Sequence, residues 1–134
     1  MSQLRTVYDG GQHCTATESA KGKSVAMDCP YTGKGEELSP GNLLEAALAG
    51  CMMISMGPTA SREGIDLAGA SIIVDVTGTP PPNIAYTAIR IDVNLPAGLS
   101  ELQRTKLERA ADTCPIKHSF KKAIEVSVAY HYPD

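Results

Sequence analysis

Between Ala46 and Gly57 the chain carries no charged residue. Within and around that stretch Leu43, Leu44, Ala47, Leu48, Cys51, Met52 and Ser55 recur at intervals of three and four, the period of a helix. Ser39 followed by Pro40 supplies its start, an N-cap hydroxyl and then a residue whose missing N–H costs nothing in the first turn. Gly64 supplies its end. A helix apolar on every side has to be enclosed, either by a sheet of its own chain or by a second chain. Pro58 removes one backbone hydrogen bond and is expected to kink it. Gly50 and Gly57 each cost about 1 kcal/mol of helix propensity, tolerable where another backbone approaches closely.

Strands surround this helix in the sequence. Leu4–Tyr8 and His13–Glu18 flank Asp9-Gly10-Gly11, a hairpin turn, and Ser24–Asp28 follows as a third strand. Residues 29–38 read as a loop. Beyond the helix, Ala70–Thr79 and Tyr86–Leu95 alternate and are rich in β-branched residues, with Pro80-Pro81-Pro82-Asn83 between them. Ser100 and Gln103 form a capping box that opens a helix over Glu101–Asp112. Thr113-Cys114-Pro115 interrupts it and starts a short helix reaching about Lys122, before a last strand over Ala123–Tyr132. The order βββ-α-ββ-α(α)-β, with strands grouped rather than alternating with helices, predicts an α+β fold of two layers. The 134 residues make one domain, 1–134, and their 43% hydrophobic content fills its core without disulfide or metal staples.

Composition excludes several classes of function. Twelve basic against fifteen acidic residues leave a net charge of −3, which disfavours a phosphate-backbone binder, and one Phe, five Tyr and no Trp supply few stacking platforms. No uninterrupted apolar run approaches the ~18–20 residues of a membrane span, and the first residues lack the apolar core of a signal peptide. The expected location is the cytoplasm, with no nucleic-acid or membrane partner. No phosphate-binding loop, dinucleotide fingerprint or zinc-protease helix is present.

Cys14, Cys29, Cys51 and Cys114 stand 15, 22 and 63 residues apart, with no paired spacing of the zinc-ribbon kind. In a reducing compartment such cysteines are buried small hydrophobes or working thiols. Cys114 precedes Pro115 and so lies at a helix start, where unpaired N–H groups favour a thiolate. His118, one turn on, could stabilise that thiolate or pass a proton; a plain cap and a surface histidine are the alternative. Cys51 lies mid-helix, where burial alone would raise its pKa and leave it inert. A working Cys51 would need a cation from elsewhere, with Arg5, Arg62, Arg90, Arg104 and Arg109 as candidates. Glu45 could orient such an arginine or complement the helix N-terminus. Cys14 and Cys29 read as structural. Met52, Met53 and Met56 read as core filler that could instead shape an adaptable apolar pocket.

At these two cysteines the sequence resembles the OsmC/Ohr family, the osmotically inducible and organic hydroperoxide resistance proteins. The features that carry it are Ser39-Pro40, the run from Leu43 to Cys51, Ala60, Gly64-Ile65, and the run from Leu107 through Cys114-Pro115-Ile116. The resemblance implies an intertwined homodimer with a buried helix from each subunit at its centre. It implies a thiol-dependent peroxidase acting in oxidative stress defence, with Cys51 as the peroxidatic cysteine and Cys114 as the resolving one. Cys51 would attack a hydroperoxide to give a sulfenic acid, and Cys114 would condense with it to a disulfide. A small dithiol or dithiol protein would restore the thiols, and no metal or organic cofactor is implied. The better characterised hydroperoxide reductases also carry a glutamate ten residues before the helix cysteine, where this chain has Gly41. They carry an arginine after an early Gly-Gly turn, where this chain has Gln12 and His13. Glu36, Glu37 and Glu45 are the acids available to stand in.

Two other classes compete with the peroxidase. One is a non-catalytic module binding a small hydrophobic ligand in an interfacial pocket around Met52, Met53 and Met56. The other is a metal-binding protein using Cys114, His118 and a further cysteine.

Overall fold

The computed structural model describes residues 3–120 and 124–134. The expected end of the short helix at Lys122 and the expected strand start at Ala123 lie outside the described residues. The chain forms two compact units, Met1–Ala46 and Ala47–Asp134.

In the first unit, β1 (Leu4–Gly10), β2 (His13–Glu18) and β3 (Lys23–Asp28) form an antiparallel sheet in that order. The hairpin expected at Asp9-Gly10-Gly11 is there. Gly10, Gly11 and Gln12 have φ of 91°, 62° and 61°, so two of the three left-handed positions fall on glycine. Asp28, at the end of β3, is 4% exposed, and a carboxylate buried that far needs donors. It accepts from the backbone N–H of Glu36 at 3.0 Å and of Glu37 at 3.2 Å. The loop therefore folds back on β3, and Asp28 N–H donates to the Leu38 carbonyl at 3.2 Å.

The expected helix runs from Pro40 to Glu63 as α1, about 36 Å long at 1.5 Å per residue. Its start is capped in both directions. Ser39 Oγ accepts from Asn42 N–H at 3.1 Å, and Asn42 Oδ1 accepts from Ser39 N–H at the same distance. The helix continues through Pro58.

In the second unit, β4 (Ser71–Gly78) and β5 (Tyr86–Asn94) are antiparallel, and β6 (Glu125–His131) lies parallel to β5 on its other side. α2 (Glu101–Asp112) opens on the capping box expected at Ser100 and Gln103, and α3 (Pro115–His118) is a single turn. One face of the sheet carries Ile89, Ile91, Val93 and Leu95, the most buried residues of β5 and the segment after it. The register sets Val74 and Val128 on either side of Ile91. Leu48, Met52, Met56 and Ala60 of α1 and Leu107 and Ala111 of α2 complete that core, and Cys114 lies within it. Helices over one sheet face make the two layers that the element order predicts.

The opposite face carries a charged cluster beside the exposed Ile73. Arg90 donates to both carboxylate oxygens of Asp92 at 3.0 and 3.1 Å, and His131 Nε2 stands 2.7 Å from Asp92 Oδ1. Arg90 first, and His131 after it, hold the Asp92 carboxyl down at about 2.

A single chain leaves part of α1 uncovered. Within the chain it is buried along one stripe rather than all round, for Leu44 is 40% and Ile54 77% exposed. Within this chain no described backbone approaches its glycines. Among the described residues, a Cβ added at Gly50 or Gly57 would meet nothing within 4 Å. An average over 18 residues, unlike an uninterrupted apolar run, gives α1 a mean hydropathy of 1.3, long and apolar enough by length and composition to cross a membrane. Its Leu48, Met52, Met56 and Ala60 stripe packs instead in the core of the second unit.

Candidate thiol site

Cys51 occupies the partly buried flank of α1, next to the stripe that packs on the sheet. Cys114 arrives from the other end of the unit's sequence. The last turn of α2 closes with Thr113 N–H and Cys114 N–H donating to the carbonyls of Ala110 and Ala111. Pro115 then starts α3 without needing a donor, and Cys114 becomes its N-cap. Its sulfur accepts from Lys117 N–H at 3.4 Å. Cys114 is fully buried, and all four cysteines are free thiols.

The two sulfurs, 63 residues apart in sequence, share a hydrogen bond, which is the main influence on the acidity of Cys51. A hydrogen bond from the Cys114 thiol holds the Cys51 pKa below the usual thiol value of 9.0. Burial opposes this, and Ile116 N–H and the Ser55 side chain, one turn along α1, add to it. Cys114 moves the other way. Burial is the main cause of its raised pKa, outweighing Lys117 N–H, and its place beside Cys51 raises it further. The thiolate is therefore favoured at Cys51 over Cys114. The sequence reading placed Cys114 at a helix start correctly, but burial overrides the N-terminal field expected to ionise it.

The guanidinium sought for Cys51 is not among the groups that shift it. Arg62 donates to Thr59 Oγ1 at 3.3 Å, and Arg90 is held by Asp92. Arg104 reaches the Leu99 carbonyl at 3.2 Å and Asp134 at 2.8 Å, with its guanidinium 4.1 Å over the Tyr132 ring. Arg109 lines a cleft with Arg62, and Arg5 lines a shallow pocket of the first unit. Glu45 accepts from Asn42 Nδ2 at 3.4 Å within the first turns of α1, while Glu36 and Glu37 serve Asp28 through their backbone. His118 is exposed, its Nε2 2.6 Å from the Asp112 carbonyl, and Lys117 pairs with the Asp112 carboxylate. These two contacts latch α3 to the end of α2, so His118 braces the turn that carries Cys114. Among the described residues no three His, Cys, Asp or Glu side chains gather in a metal-ligating group.

Met52 and Met56 are fully buried and Met53 packs against the core. Cys14 pairs in register with Tyr8 and Met27 across the first sheet. Cys29 lies one residue past the end of β3. The Thr32 side chain first, then the backbone N–H groups of Thr32, Tyr31 and Gly33, hold its thiol down at about 7. Gly33 is required there, since a Cβ would sit 2.7 Å from the Cys29 carbonyl oxygen. The signal in the sequence was Gly33, four residues past a cysteine at a strand end.

A family model described as OsmC-like protein matches residues 33–129, which include both sulfurs of the site and the helices that carry them. The chain belongs to the OsmC-like family. A Psychrobacter arcticus 273-4 protein, provisionally described as an osmotic stress induced and detoxification response protein, has a similar structure. Its TM-score is 0.87 at 27% identity, over 98% of this chain and 96% of that one. The organic hydroperoxide resistance protein OhrB of Bacillus subtilis aligns with a TM-score of 0.70 and 16% identity over 98% of both chains. An OsmC-like protein of Mycoplasma pneumoniae gives 0.78 and 15%, over 98% of this chain and 96% of that one. The last two speak for the OsmC-like fold. Comparison with curated protein sequences returned no match.

Proposed function

We propose that this OsmC-like protein is a thiol peroxidase that reduces organic hydroperoxides or hydrogen peroxide in the cytoplasm, as part of oxidative stress defence. The observation that carries the reading is the pair of neighbouring thiols with opposed acidity, Cys51 lowered and Cys114 raised. The Cys51 thiolate attacks the terminal peroxide oxygen, the O–O bond breaks, and an alkoxide or hydroxide leaves and takes a proton. Cys51 is then a sulfenic acid. The Cys114 sulfur displaces its oxygen as water, forming a disulfide and forestalling oxidation to the sulfinic acid. A small dithiol or dithiol protein reduces the disulfide by exchange. The names of similar structures, organic hydroperoxide resistance proteins from Bacillus subtilis and Elizabethkingia anophelis among them, agree with a peroxide substrate.

The working form is a homodimer. A free chain would leave Ile54 and Leu44 of α1 in water, and a second copy supplies the cover that an apolar helix needs.

Peroxide consumption coupled to a small dithiol tests the reading. Cys51→Ser is expected to lower the steady-state rate at least about 1000-fold, since it removes the nucleophile. Cys114→Ser is expected to keep the first turnover and then accumulate sulfinic Cys51 under excess peroxide. Unchanged turnover in Cys51→Ser would end the peroxidase assignment.

A further inference from the structure

The last turns of α1 and α2 frame an open cleft of about 360 Å³ in the second unit, within the usual range for small-molecule sites. Thr59, Arg62 and Glu63 line it from α1, and Lys106, Arg109 and Thr113 from α2 and its C-cap. Three cations thus face one carboxylate, on a chain whose net charge is −3. Glu63 is paired with Lys106. The Arg62 guanidinium donates to the Thr59 hydroxyl, and among the described residues the Arg109 side chain has no partner. Cations near helix C-termini complement the helix dipole, which accounts for Arg62 and Arg109 singly. It does not require both to line one concavity beside a third cation.

We propose that this cleft binds a small oxyanion carrying two or more negative charges, a phosphate ester or a polycarboxylate. Guanidinium groups offer paired donors that match the oxygens of either group, and Lys106 adds a point charge. Glu63 occupies Lys106 in the free protein and competes with the incoming anion. None of these side chains acts on Cys51 or Cys114, so the site stands independently of the peroxidase reading.

Calorimetric titration of the whole protein at low ionic strength, with pyrophosphate and citrate as separate probes, tests it. At least one probe is expected to bind saturably at one site, and which one distinguishes phosphate from carboxylate chemistry. Arg62→Gln and Arg109→Gln should each weaken that binding about tenfold, the scale of one lost charge-assisted hydrogen bond. Glu63→Gln should tighten it, and Lys21→Gln, in a turn of the first unit, should leave it unchanged. Failure of both probes to saturate, affinity unaltered in both arginine variants, or equal weakening in Lys21→Gln would overturn the proposal.

Discussion

Cys51 acquires its acidity without a guanidinium, from three hydrogen-bond donors: the Cys114 thiol, Ile116 N–H and the Ser55 side chain. Each favours the thiolate, so the reactive fraction at neutral pH should exceed that of an ordinary cysteine and decline as pH falls through the lowered pKa. Ser55→Ala removes one donor and raises the pKa. The alkylation rate of Cys51 at pH 7 should then drop roughly 3- to 10-fold, and its pH profile should move to higher pH. Iodoacetamide kinetics on a Cys14→Ser, Cys29→Ser background measures this without interference from the acidic Cys29. An unmoved profile would remove Ser55 from the site. Little of this environment was legible beforehand. Cys114-Pro115 announces a helix start in two letters, whereas the neighbours of Cys51 on α3 come from more than 60 positions away. Periodicity around Cys51 reports only its own helix.

The helices and strands themselves were far easier to read. Ser39-Pro40 and Ser100 with Gln103 mark two helix starts because capping is a local affair of three or four residues, and both caps form as expected. Alternation likewise located β4 and β5. It did not disclose that β6 runs parallel to β5, since a period of two fixes which face is buried and not which neighbour is chosen. That pairing is what brings His131 to Asp92 across the outer face. Asp92 has its pKa lowered from 3.8 to about 2, so the folded state favours the ionised form. Its contribution to stability is therefore full above about 3.8 and is lost as pH falls through about 2. Asp92→Asn should melt lower than the wild type at pH 6, and the gap should narrow as pH drops from 4 to 2. A gap independent of pH over that interval would show that the carboxylate's charge is not what joins β5 to β6.

For the whole molecule, the uncharged run from Ala46 to Gly57 foretold enclosure but left open whether sheet or second chain provides it. The sheet of the second unit takes one stripe, and Ile54 is left 77% exposed on another. A dimer built around this stripe should not dissociate to a stable folded monomer on dilution, because among the described residues nothing else covers the exposed stripe. Sedimentation velocity at decreasing concentration checks it: a folded 14.1 kDa species would contradict the dimer. The redox chemistry has its own test. Reduced protein treated with one equivalent of hydroperoxide, trapped and digested, should yield a peptide linked through Cys51 and Cys114, with Cys14 and Cys29 unbridged. Oxidation confined to Cys29, or spread evenly over the four cysteines with no Cys51–Cys114 link, would contradict the account.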